Sequence, residues 1–187
     1  GRRLEEVAAI LERLAVGKRA IAASGEGSQR RYRIMPVMPG MFEMVLIGES
    51  PETLTDWHRG FAEAVEALFE TGYIVDYQDR RTSMIRFMPV APVLAGNPAA
   101  LPSDRLEVVL DRYQAFGVGH CQCRMSDEIA DRGCGKPLEV CTVMGEWAQR
   151  GIEDGWLRSV SRDNILEIKR EAESHGLVTW IMNVESA

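Results

Sequence analysis

Several features that would place a protein in a special class are missing from this chain of 187 residues. No apolar run approaches the roughly eighteen residues of a membrane-spanning helix, so we expect no membrane span. The opening residues, GRRLEEVAAI, are too charged for a secretory signal and begin like the middle of a helix, which predicts a fragment of a longer chain. Cysteine is scarce, with four residues and none outside positions 121–141. This usage indicates reduced thiols in a cytoplasmic protein rather than a disulfide scaffold.

The common catalytic motifs are also absent from the sequence. It contains no H-E-x-x-H, no G-x-S-x-G, no Walker loop and no G-x-G-x-x-G. His120 adjoins Cys121, but neighbours in sequence usually point apart, which disfavours a Cys–His nucleophile. We therefore expect no catalytic activity from the chain alone.

Charge is unevenly distributed along the chain. The net charge is −6, yet residues 1–35 carry +4 and the remainder −10. An acidic balance disfavours general binding to nucleic acid, whereas the basic N-terminal end, with Arg30 and Arg31, keeps that partner possible. A solvated charged face is the interpretation that we favour.

Hydrophobic periodicity and turn residues predict an α+β fold. A helix over 4–15 and two strands around the turn at 24–28 have the order of a winged helix-turn-helix without its first two helices. Further helices are predicted from Ser50 to Gly72 and over 104–116, 137–151 and 162–175, with strands over 73–78, 82–90 and 177–184. The half that contains the cysteines is therefore expected to be mainly helical.

The proline-rich stretch APVLAGNPAALPS has the composition of a linker and provides a domain boundary. We expect an incomplete winged-helix-like helix and hairpin over 1–48. A helix with short strands and the linker should occupy 49–102. The helical cysteine domain should occupy 103–187.

The cysteines follow the pattern C-x-C-x10-C-x6-C, at Cys121, Cys123, Cys134 and Cys141. Four thiolates suit either an iron–sulfur cluster or a structural zinc ion. Zinc sites usually pair cysteines that have two to four residues between them. The C-x-C and C-x6-C spacing of this chain fits a larger iron–sulfur cluster, whose irons stand apart, better than a single zinc ion. Zinc binding and disulfide or redox-switch chemistry remain alternatives.

The residues around the cysteines favour the binding of a negatively charged group. Cys134 precedes a helix that is predicted to begin at Pro137, whose free N–H groups would point toward the site. Arg124 and Lys136 add positive charge beside the cysteines, and the glycines that flank Cys134 permit a tight backbone.

Four segments of the chain follow one another in a recognisable order: YRIMPVMPGMFEMVL, GVGHCQCR, GCGKPLEVC and HGLVTWIMN. Together they resemble a family of prokaryotic 4Fe-4S ferredoxin-type iron–sulfur binding proteins, in which such segments occur in the same order. The resemblance covers roughly residues 30–187 and includes a winged-helix-like N-terminal segment. It implies that Cys121, Cys123, Cys134 and Cys141 hold a [4Fe-4S] cluster and that the chain transfers electrons to or from a redox partner protein. The further cysteine-rich stretch and ferredoxin repeats common in that family are not among these residues.

Two other functions remain open at this stage. A redox-sensing DNA-binding regulator would couple the state of the cluster to the basic N-terminal element. A structural zinc-binding interaction module would hold its metal on the same four cysteines and would have no redox activity.

Overall fold

The computed structural model describes residues 3–73, 75, 85–88 and 105–182. Helices and small antiparallel sheets make the chain an α+β protein, as predicted. It divides into two compact units, Gly1–Leu46 and Ile47–Ala187. The predicted domain boundary at 102, the whole linker and most of the strand at 73–78 lie outside the described residues.

The N-terminal unit contains the predicted helix and hairpin. Helix α1 spans Leu4–Glu12 and continues into a wider helical turn at Arg13–Gly17. Strands β1, Ile21–Ser24, and β2, Arg31–Ile34, pair antiparallel with Ser24 opposite Arg31. A short helix that the sequence did not predict, α2, spans Phe42–Leu46. The helix and hairpin are thus confirmed, whereas the winged-helix assignment stays a prediction.

The larger unit begins with a helix that starts later than predicted. Ser50 caps only a 3-10 turn, Pro51–Thr53, and Leu54 is extended. Helix α3 spans Asp56–Glu70 with Thr55 as its N-cap, and the chain turns away at Gly72 with a φ of +86°. The helix itself is confirmed, and its start moves because Thr55 provides a second capping position.

A three-stranded antiparallel sheet stands where the sequence predicted mainly helix. Its central strand β4 spans Phe116–Gly119, between β5, Cys141–Met144, and β6, Arg158–Ser159. The helix predicted over 104–116 is therefore wrong in its second half, since only α4, Leu106–Leu110, is helical. A Cβ on Gly117 would lie 2.9 Å from Leu157 Cδ1, so the absence of a side chain lets this strand pack closely.

The helix predicted to begin at Pro137 is also wrong. Residues 141–144 pair with β4 instead, and α6 begins only at Glu146 and ends at Glu153. A helix that was not predicted, α5, spans Gln122–Ile129 directly after β4. Long-range pairing along β4 overrides the local helix signal of a proline with an acid after it.

The last elements agree with the predictions. Helix α7 spans Arg162–Ser174, and its N-cap Ser161 accepts a hydrogen bond from the Asn164 N–H at 3.1 Å. Strands β3, Ile85–Phe87, and β7, Trp180–Met182, pair antiparallel. Buried side chains from α4, β4 and α7, together with Met88 just after β3, form one core: Met88, Leu106, Val109, Leu110, Phe116, Ile165 and Leu166. Within the described ranges, no helix is long and apolar enough to cross a membrane.

Candidate functional site

Cys121 lies at the point where β4 ends and α5 begins. The backbone there is fixed on both sides: the His120 N–H donates to the Ile47 carbonyl at 2.8 Å, and the Cys121 N–H donates to the Leu138 carbonyl at 2.7 Å. Cys121 has extended φ and ψ angles and is the N-cap of α5. The first N–H groups of that helix have no carbonyl partner within it, so they are available to the cysteine sulfur.

The sulfur of Cys121 is stabilised as a thiolate. A hydrogen bond from the Cys123 thiol, N–H donors of Arg124 and Cys123, and the positive charge of Arg124 lower its pKa to about 6. Burial of the sulfur acts in the opposite direction, because desolvation favours the neutral thiol. The C-x-C pair therefore acts as one unit, in which the second thiol donates to the first.

Cys141 approaches the same unit from β5. It is the first residue of that strand, and its Cα pairs with that of Gly119. Its thiol donates a hydrogen bond to Gln122 Oε1 at 3.3 Å. Gln122 is buried and lies between Cys121 and Cys123 in sequence. The fold therefore brings three of the four predicted ligands to the junction of β4, β5 and α5.

Cys134 is the ligand that the fold does not bring in. It is exposed, in the loop between α5 and β5, whereas the other three cysteines are partly buried. All four are free thiols. Across the residues that the structure describes, no group of three or more His, Cys, Asp or Glu side chains is arranged to hold a metal ion.

The cations around the thiols differ in part from those predicted. Arg124 lies beside Cys121, and its Nη2 donates to the Pro137 carbonyl. Its Nε is buried and has no hydrogen-bond partner among the described residues. Lys136 donates an exposed hydrogen bond to the His175 carbonyl at 2.6 Å. Because no helix begins at Pro137, the helix N-terminus at the site belongs to α5 and acts on Cys121 rather than on Cys134.

Sequence reasoning missed Lys169, on α7. Its Nζ donates to the carbonyl of Val140, the residue before Cys141, at 2.7 Å. Burial around the ammonium group lowers its pKa, and the sulfurs of Cys141 and Cys121 act in the opposite direction. No local pattern marks this lysine, because only the packing of α7 brings it to the cysteines. One weak signal was present in the sequence: Lys169 lies one helical turn after Ile165 and Leu166, which are apolar residues on a mainly polar helix.

The basic residues of the N-terminal unit are only partly available to nucleic acid. Arg30 Nη2 lies 3.0 Å from Glu12 Oε1, and the Tyr32 hydroxyl donates to the other oxygen of Glu12 at 2.7 Å. The Tyr32 hydroxyl and then Arg30 lower the pKa of this carboxyl. Arg31 is exposed. Of the two arginines in the regulator hypothesis, one is therefore engaged in joining β2 to α1.

Comparison of the chain with protein-family models, with curated proteins and with solved structures gives no match in any of the three. The family resemblance described above therefore depends on the quoted motifs alone.

Proposed function

We propose that the chain holds a [4Fe-4S] cluster on Cys121, Cys123, Cys134 and Cys141 and works as an electron-transfer protein or subunit. The observation that carries the proposal is the meeting of three of these cysteines at one strand–helix junction, where the Cys123 thiol donates to Cys121 and the Cys141 thiol donates to Gln122. Cys134 is the ligand that the exposed loop would supply. A redox partner protein and a cytoplasmic location are further predictions that depend on this proposal.

The chemistry of the donor set fits such a group. The candidate ligands are all thiols, and iron–sulfur clusters are held by Cys thiolates. Arg124 contributes a second argument, because its buried Nε–H lacks an acceptor, which costs about 1–3 kcal/mol in a folded protein. A sulfur-rich anionic group beside Cys121 would supply acceptors for N–H donors of this kind.

When bound, the cluster would supply one-electron storage at a potential set by its charge, hydrogen bonds and exposure. The chain's own residues prepare the site for that group. The N-terminus of α5 directs N–H groups at Cys121, and Arg124 adds a positive charge on the same side. Gln122 accepts a hydrogen bond from the Cys141 thiol and thereby holds β5 against the start of α5.

Serine substitution of each cysteine tests the proposal. Protein is prepared without oxygen, reconstituted with iron and sulfide, and assayed for iron, sulfide and zinc per chain. We expect Cys121→Ser, Cys123→Ser, Cys134→Ser and Cys141→Ser each to lose most of the bound iron. Thr142→Ser, next to Cys141 and also on β5, is the matched control and should keep it.

Two outcomes would contradict the proposal. Full iron and colour in any of the cysteine variants would remove that residue from the ligand set. Near-stoichiometric zinc without sulfide, persisting after reconstitution, would instead support the structural zinc module.

A further inference from the structure

Lys169 reaches the thiol site from a helix distant in sequence. Its side chain is partly buried and runs from α7 to the segment just before β5. There its Nζ donates to the Val140 carbonyl at 2.7 Å, one residue before Cys141. An ammonium group in desolvated surroundings is costly unless negative groups and acceptors lie near it. The carbonyl is one such partner, and the sulfurs of Cys141 and Cys121, which favour the charged form of the ammonium group, are the others.

We propose that Lys169 is a positioning residue that supplies a fixed positive charge to the thiol site. The charge offsets that of Cys141 and Cys121, and the hydrogen bond to Val140 holds the start of β5 in place. Resting on the proposed function, the inference extends to the cluster: the reduced form carries one more negative charge, so a nearby cation stabilises it. Lys169 thus raises the reduction potential.

Lys136 provides the natural comparison. It lies between Cys134 and Cys141 in sequence and also donates to a backbone carbonyl, that of His175 at 2.6 Å. Its hydrogen bond is exposed, however, whereas that of Lys169 is partly buried, so water and salt screen the charge of Lys136 more strongly. Charge interactions are several-fold stronger at an effective dielectric constant of about 20 than in water at about 80. Lys136, which is near the cysteines in sequence, should therefore affect the electrostatics of the thiol site less than Lys169, which is distant in sequence.

The first test measures the midpoint potential of the reconstituted cluster. Lys169→Met removes the charge and keeps an unbranched side chain, Lys169→Arg keeps the charge, and Lys136→Met is the matched control. We expect a more negative potential in Lys169→Met, with Lys169→Arg and Lys136→Met close to the unchanged protein. The shift in Lys169→Met should persist at high salt. Equal potentials in Lys169→Met and Lys136→Met would overturn the inference.

The second test needs no cluster. Metal-free protein is alkylated at one pH with iodoacetate, which is anionic, and with iodoacetamide, which is neutral. The rates at Cys141 and Cys121 are read by mass spectrometry of the peptides. Both reagents attack the thiolate, so the ratio of their rates cancels the thiolate fraction and reports the local charge.

We expect the iodoacetate-to-iodoacetamide ratio to fall severalfold in Lys169→Met and to stay unchanged in Lys169→Arg and Lys136→Met. Thermal unfolding of each variant checks that the fold is retained, and Lys169→Gln replaces Lys169→Met if the latter does not fold. An unchanged ratio in the neutral variant overturns the inference, whether or not the chain holds iron. A lowered ratio in a protein that binds no iron would support the lysine and reject the cluster, so the two failures are distinguishable.

Discussion

Cys121 and Cys134 are candidate ligands of the same site, yet they differ in burial and in how firmly the fold holds their backbone. Cys121 is partly buried, its N–H donates to Leu138, and it caps α5. Cys134 is exposed in the loop that joins α5 to β5. The protein core therefore fixes the position of Cys121 at one end of the thiol segment, while the position of Cys134 at the other end is set by its exposed loop. Substitutions at the two ends should therefore have unequal effects.

The largest effect should come from Gly119, two residues before Cys121. A Cβ at this position would lie 2.5 Å from the Ile47 carbonyl oxygen and 2.8 Å from Ile47 Cγ1. We expect Gly119→Ala to lower the free energy of unfolding by about 3 kcal/mol, because neither neighbour can easily move. Urea denaturation measures the loss.

Gly135, one residue after Cys134, is the matched control for that substitution. A Cβ there would meet nothing within 4 Å, and only its φ of +65° opposes a side chain. Gly135→Ala should therefore cost only about 1 kcal/mol, the penalty of a left-handed conformation. Equal losses in the two variants would contradict the claim that the core fixes only the Cys121 end.

The next effect concerns the dependence of stability on pH in metal-free protein. The pKa of Cys121 is about 6 in the folded chain and about 8.5 in an unfolded one. A lowered pKa adds stability that is fully present above the unfolded pKa and is lost as the pH falls through the folded one. The unfolding free energy should therefore rise by roughly 2.5 kcal/mol between pH 6 and pH 8.5, relative to Cys121→Ser.

The Cys121→Ser reference also controls for other titrating groups at the site. Cys123 lies on α5, and Lys169 on α7 interacts electrostatically with Cys121 and Cys141. These groups are present in both proteins, so the difference between the two stability curves reports the titration of Cys121 together with its coupling to Cys123. Parallel curves would show that its thiolate has no special stabilisation.

The smallest effect concerns the hydrogen bond that the Cys123 thiol donates to Cys121. A hydrogen bond from the Cys123 thiol is the largest cause of the lowered pKa of Cys121. Cys123→Ala removes the donor, so the pH midpoint for alkylation of Cys121 should move up from about 6, toward the ordinary value near 8.5. Cys123→Ser keeps a donating hydroxyl and should move the midpoint less. The same midpoint in all three proteins would be the contrary result.

Much of the fold followed from local signals in the sequence. The helices at 4–12 and 162–174 have clear apolar periodicity or a strong N-cap, and the strands at 85–87 and 180–182 lie in β-branched or aromatic runs. The site was visible because every cysteine lies in one window, which needs no knowledge of the fold. The fixed backbone at Cys121 was not visible, since cysteine is an uncommon N-cap and α5 is short.

The failures share one physical cause, which is contact between distant parts of the chain. Pro137 followed by an acid is a good local start for a helix, yet residues 141–144 gain more from pairing with β4. The same pairing brings Cys141 to Gln122. Lys169 reaches the site only through the packing of α7, and periodicity within one segment contains no information on that.

The central claim is that these four thiols hold an iron–sulfur cluster. Its most direct test counts iron and acid-labile sulfide per chain in protein prepared without oxygen, and records the visible spectrum before and after dithionite. We expect about four irons and four sulfides with a broad band that dithionite bleaches. A colourless protein that holds neither iron nor sulfide after reconstitution, with its four thiols still reduced, would contradict it.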